Sequence, residues 1–215
     1  MTAVSLAATS LSNLPLVLGS RALPVVEYAT FAAQWTLTAS IYGVTIGFAV
    51  VFGFPAGKRY WDEGNTEAAL AVVKKYFRAI LWTAPVFGIA FWLGGQALTT
   101  VLLGERYAGR MIPTACVGVM VMGAVYLVAR WKPQYEYRQS AIAKITGSSA
   151  LLQLVLVALL APGLGLPGLL MGTAIPFAVQ AWAMLKVARA GLGLGGGLLV
   201  LGELLVVVAV AIELW

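Results

Sequence analysis

Nearly all charged residues of this chain fall between long apolar runs, and the runs match the thickness of a membrane. Seven stretches, at about 1–20, 25–52, 79–103, 111–129, 145–161, 169–188 and 198–214, carry at most two charges each. A helix needs roughly 20 apolar residues to cross the hydrocarbon core. Composition agrees: 61% of the 215 residues are hydrophobic and 10% charged, against about 45–50% and 25% in soluble domains. The fold class expected is all-α, a polytopic transmembrane helix bundle of six to seven membrane-spanning helices.

The same residues exclude much chemistry. Histidine is absent, Asp62 is the sole aspartate and Cys116 the sole cysteine. No Ser-His-Asp or Cys-His arrangement, His-bearing zinc motif or paired-Asp site is available. No catalytic residue, metal site or cofactor is expected, and an enzyme is the least supported class. The net charge of +6 resides in short loops between spans, which points to topology rather than nucleic acid.

Several local features predict where helices start and stop. The first stretch is a weak span with Ser5, Thr9, Ser12 and Asn13 on one face. Gly53 and Pro55 predict the end of span two. Asn65 is placed to cap an amphipathic helix over 66–78, with Ala69, Val72, Val73 and Phe77 on its apolar side, merging into span three. Pro85 predicts a kink. Residues 130–144 read as a basic loop. Pro162 to Gly168 reads as a tight turn between spans five and six, and Gly191 to Gly197 as a glycine loop before span seven.

Lysine and arginine divide unevenly between the two sets of loops. Eleven of the fourteen follow spans two, four and six, while Arg21, Arg106 and Arg110 lie on the other side. The positive-inside rule then makes the basic loops cytoplasmic in a multi-pass protein of the plasma (inner) membrane. Two G-x-G-x-x-G matches, at Gly163 and Gly191, lie between spans rather than after a strand and read as turns. Small pairs at Gly43/Gly47, Ala90/Gly94 and Gly168/Gly172 predict close helix packing within the chain. Gln34, Gln96, Gln153 and Gln180 are suited to line a cavity or to bond between helices, with packing the plainer use. Trp61, Trp131 and Trp215 near span boundaries fit an aromatic belt.

Ionisable residues inside or beside spans are the candidate functional groups, since each costs about 2.5–3.5 kcal/mol at mid-membrane on insertion scales. Glu203 is the best buried candidate, and Glu27 the second, with an ion pair to Arg21 as its plainer use. Arg78 is positioned to face a cytoplasm-open cavity, and Arg106 and Arg110 bracket the outer mouth.

The order of features resembles a known family. Tyr28-Ala29-Thr30 enters span two, and Phe54-Pro55 closes it before an acidic turn containing Gly64. A basic amphipathic helix, a Pro85-bearing span, the Leu103-Gly104-Glu105-Arg106-Tyr107 loop and the Pro162/Gly165/Gly168 turn follow. This resembles the C-terminal half of polysaccharide-exporting, Wzx-like flippases of the multidrug/oligosaccharidyl-lipid/polysaccharide exporter superfamily. Residues 1–190 would be the flippase-like six-helix lobe, and 191–215 a glycine loop with an additional transmembrane helix.

The resemblance implies alternating-access flipping of polyprenyl-pyrophosphate-linked oligosaccharides. Arg78, Arg106 and Arg110 would bind the substrate and Glu27 and Glu203 would couple ions. The implied partners are membrane lipid, the lipid-linked oligosaccharide and a second lobe, either another copy or a separate N-terminal half. Relatives have two lobes around the substrate, and this chain supplies one. A non-transporting scaffold or partner subunit, and a cation-coupled drug exporter of the same superfamily, stay open as alternatives. In the latter, Glu203 or Glu27 would be indispensable.

Overall fold

The computed structural model describes residues 3–109, 111–188 and 193–214. The described residues contain helices and turns and no strand. Helix α1 (Ala3–Ala22) leads into α2 (Val25–Phe48). One π-helical turn (Ala49–Gly53) joins α2 to α3 (Phe54–Asp62), and α4 (Thr66–Leu103) follows. After a 3₁₀ turn (Glu105–Tyr107) come α5 (Met111–Ala129), the short α6 (Trp131–Tyr135), α7 (Gln139–Ala188) and α8 (Gly193–Leu214). Five helical runs are long and apolar enough to cross a membrane: Val25–Asp62, Thr66–Leu103, Met111–Tyr135, Gln139–Ala188 and Gly197–Leu214. The chain is thus an all-α bundle suited to the membrane.

The fourth run is a hairpin. Gly165 has φ 60° and ψ −134°, outside helical space, a region that essentially only glycine occupies. The two arms then lie against each other backbone to backbone. A β-carbon at Gly172 would stand 2.9 Å from the Val157 amide nitrogen. Each arm has spanning length, so the hairpin provides the expected fifth and sixth passes around the expected turn.

Helix α5 is the centre of the bundle. Fifteen of its residues are buried, and α2, α4, α7 and α8 pack on it. Helix α1 packs on α7, with Gly19 against Leu169.

Helix α4 also follows expectation. It is one helix from the amphipathic lead-in to Leu103, and Asn65 caps it by accepting a hydrogen bond from the Ala68 amide at 3.1 Å. Ala69, Val73 and Phe77 are buried as the spacing requires, and the helix runs through Pro85.

Three expectations are corrected. Span two does not end at Gly53 and Pro55; the helix continues to Asp62. A proline ring clashes with the carbonyl four residues back, and the wider π-helical turn directly before Pro55 makes room for it. Residues 130–144 are mostly helical rather than loop, with one left-handed residue, Tyr137, at φ 58° between α6 and α7. Of the three small-residue pairs, only Gly168/Gly172 is closely packed. A β-carbon at Gly43, Gly47 or Gly94 would meet nothing within 4 Å, because those positions face outward.

The aromatic residues near the basic end also behave differently from a belt. Trp131 is 1% exposed, its ring edge-on to Phe54 at 6.0 Å and to Tyr76 at 5.6 Å between centroids. Trp61 stacks obliquely on Tyr135 at 5.9 Å. These rings bind α3, α4 and α6 together instead of lying in the lipid interface. Trp215 lies outside the described residues.

Candidate functional site

Glu203 lies midway along α8, about 15 Å from either end at the helical rise per residue. Helices α5 and α8 approach closely beside it. A β-carbon at Gly118 would stand 3.3 Å from both the Glu203 carbonyl oxygen and its Oε2. Tyr42 on α2 is 2% exposed and lies in electrostatic range of Glu203. Its hydroxyl has no hydrogen-bond partner among the described residues. No lysine or arginine forms an ion pair with Glu203 among them either.

Glu203 opens into a cleft of about 440 Å³ between α4 and α8. Ala84, Pro85, Gly88, Ile89 and Trp92 form one wall, and Val206, Ala209 and Val210 the other, with Thr114 of α5 at the back. Glu213, near the C-terminal end of α8, also lines the cleft. Ile89, Trp92 and Val206 are exposed at the rim. A rim of exposed apolar side chains on transmembrane helices opens sideways to lipid.

Comparison with known proteins leaves the chain without a match. No family model, no curated protein and no solved structure matches it.

The other expected site residues do not join Glu203. Arg78 and Arg106 are exposed and lie outside the cleft. Arg78 lies within the first third or so of α4 and Arg106 in the 3₁₀ turn that follows it, separated by roughly 40 Å of helix. The Arg106 guanidinium lies 5.9 Å from the centroid of the Tyr107 ring. Arg110 lies outside the described residues. Glu27 is exposed and has no ion pair to Arg21 among the described residues. It lines a shallow hollow of about 210 Å³ with Leu164, Gly165, Leu166, Pro167 and Leu214.

The glutamines split. Gln34 donates from Nε2 to the Tyr107 carbonyl at 2.6 Å, Gln96 is exposed, and Gln153 and Gln180 are buried with amide atoms unpartnered among the described residues.

A seal closes the bundle beside the C-terminal end of α4. The Thr99 hydroxyl accepts from the Gly109 amide at 2.9 Å, while its single hydrogen is shared among the Gly95, Gln96 and Gly109 carbonyls at 2.8, 3.0 and 3.0 Å. With Gln34 on Tyr107, it pins the 104–109 loop onto α2 and α4. Thr99→Ala leaves the Gly109 amide without its partner, a loss of about 1–3 kcal/mol. The Gly109 amide should then exchange hydrogen at least tenfold faster in detergent micelles. Unchanged exchange there would deny the seal.

Some charges at the opposite end are paired locally. Lys58 pairs with Asp62 and Arg59 with Glu63, while Lys132 and Arg138 share Glu136. Lys74, Lys75, Arg78 and Lys144 are exposed and free of such pairs among the described residues. Glu203 was legible as a carboxylate in an apolar run. Tyr42, Gly88, Trp92, Thr114 and Gly118 were not, because an aromatic or small residue facing a cleft has the same sequence signature as one facing lipid.

Proposed function

We propose that this chain is one lobe of a flippase-type transporter that moves polyprenyl-pyrophosphate-linked oligosaccharides across the plasma (inner) membrane for polysaccharide biosynthesis. A second lobe, either another copy or a separate N-terminal half, would complete it. The observation that supports the reading is a membrane-suited helical lobe that stays open: a largely apolar cleft with exposed apolar side chains reaches Glu203, midway along α8. A scaffold would be expected to close its core over such a group, since an unpaired ionisable side chain in a membrane is costly.

The mechanism needs no covalent chemistry. The prenyl tail stays in lipid or along apolar helix faces. The pyrophosphate needs cations, and the placement of Arg78 and Arg106 supports a sequential role: Arg78 receives it at the basic, cytoplasmic end, and Arg106 with Arg110 receives it at the outer end. Glu203 and Glu27 would supply the coupling charges, and rocking of the lobe against its partner would alternate the access.

Proteoliposomes holding the purified chain and a fluorescent polyprenyl-pyrophosphate sugar test this. An impermeant reductant should bleach both leaflets when the protein is present and only the outer one when it is absent. Arg78→Ala and Arg106→Ala should each slow flipping at least tenfold, the equivalent of about 1.4 kcal/mol in the barrier. No flipping by the chain, whether self-associated or not, would leave the scaffold reading.

A further inference from the structure

The first arm of the α7 hairpin turns a polar row inward. Thr146, Ser149, Gln153 and Val157 of that row are buried, while Leu151, Leu154 and Leu159 are exposed. Tyr126 of α5 extends the row, its hydroxyl 2.7 Å from the Thr146 hydroxyl. The second arm adds Gln180, which is 1% exposed. Polar side chains buried among membrane-spanning helices are costly unless each finds a partner.

The hairpin sets the two amides near one another. Gly172 faces Val157, since a β-carbon at Gly172 would stand 2.9 Å from the Val157 amide nitrogen. From that contact Gln153 lies one turn, about 6 Å, toward the basic end, and Gln180 two turns, about 12 Å, in the same direction. Helical side chains lean toward the N-terminus of their own helix. The arms are antiparallel, so Gln153 leans toward the level of Gln180, and Gln180 leans back toward that of Gln153. Yet Oε1 and Nε2 of Gln153 and Nε2 of Gln180 have no hydrogen-bond partner, in each other or in any described residue. Pro176, between Gly172 and Gln180 on the same row, has no N–H to give to the Gly172 carbonyl.

We propose that the hairpin holds an internal water site in which water bridges Gln153 of the first arm to Gln180 of the second. An ordered buried water makes about three hydrogen bonds to otherwise unsatisfied polar groups. Gln153 can both donate and accept, and Gln180 can donate from the facing arm. The Gly172 carbonyl is a further acceptor on the same row. A water bridge is nearly as favourable as a direct hydrogen bond, and this one ties the arms together on the basic side of the Gly172 contact. The site is separate from the Glu203 cleft and from the arginines of the proposed function, so it holds or fails independently of them.

Proton-detected NMR of the full chain in lipid nanodiscs tests the proposal, with isotope-labelled glutamine side chains assigned through the wild-type backbone. The side-chain amides of Gln153 and Gln180 should both receive magnetisation from water. The methyl group of Met122, which is 0% exposed, should not. Absence of transfer at either amide would overturn the proposal, as would a direct contact between the two amides. Melting temperature gives a second measure. Gln153→Leu and Gln180→Leu should each lower it by about 2–4 °C, the shift expected when the remaining amide loses its hydrogen bond in a chain of this size. The double variant, with no amide left to satisfy, should recover most of that loss. Single variants that melt at or above wild type would show that the amides are dry, and would also overturn the proposal. The NMR result needs no variant, so it decides if the leucine chains do not fold.

Discussion

A β-carbon at position 168 is expected to destroy the folded state. In the α7 hairpin it would sit on the Leu160 carbonyl, 2.5 Å from that carbonyl carbon and 2.9 Å from the Ala161 nitrogen. Those are backbone atoms of the facing arm and cannot rotate away. Relief would require the arms to separate along the contact that continues to Gly172 and Val157. That contact holds the hairpin against α5 and α8. Without it the last three passes lose their arrangement, so Gly168→Val should cost more than the roughly 5 kcal/mol that marks exceptional substitutions. Gly165→Ala should cost less, about 1–3 kcal/mol, through backbone strain alone.

Cys116 supplies the measurement for both variants. It is the only cysteine and is fully buried at the centre of the bundle, so its reaction with a fluorogenic maleimide on heating reports unfolding. Gly168→Val should react at once at low temperature. Gly43→Ala, Gly47→Ala and Gly94→Ala should melt at or above wild type. Their β-carbons enter open space, and alanine is favoured over glycine in a helix by about 1 kcal/mol. A normal melting curve for Gly168→Val would show that the arms do not approach as described.

The contrast between these glycines marks what the sequence could convey. All of them sit at four-residue spacing beside another small residue, and spacing alone does not say whether a neighbour is present. Pro162 and Gly168 did convey the hairpin, because proline and glycine restrict or free the backbone locally. Asn65 conveyed its cap for the same reason. The continuation of α2 through Pro55 was illegible, since it depends on a single π-helical turn whose Gly53 fits under Tyr76 and Trp131 from distant segments. The site divided likewise. Glu203 announced itself by its charge, whereas its proximity to Tyr42 joins residues far apart in sequence, and the dispersal of Arg78 and Arg106 follows from α4 being one unbroken helix.

The second large effect is expected at the basic end of the bundle. Trp131→Ala should destabilise the chain by about 3–5 kcal/mol, the range for removing a buried large aromatic. The indole is 1% exposed and is wedged between Phe54 and Tyr76. Gly53 gives it room, since a β-carbon there would lie 2.7 Å from the ring. A tryptophan placed in the interface to anchor the protein in lipid would lose far less on truncation, because lipid would fill the space it vacates. Here the vacancy is internal and its walls belong to α3, α4 and α6, so their contacts are lost outright. The Cys116 reaction temperature should fall sharply for Trp131→Ala and only partly recover in Trp131→Phe. A decrease no larger than that of an exposed control such as Trp82→Ala, at 77% exposure, would return Trp131 to the membrane interface. It would also remove the aromatic cluster as the tie between α3 and the long helix α4, which carries Arg78 and leads into the loop of Arg106.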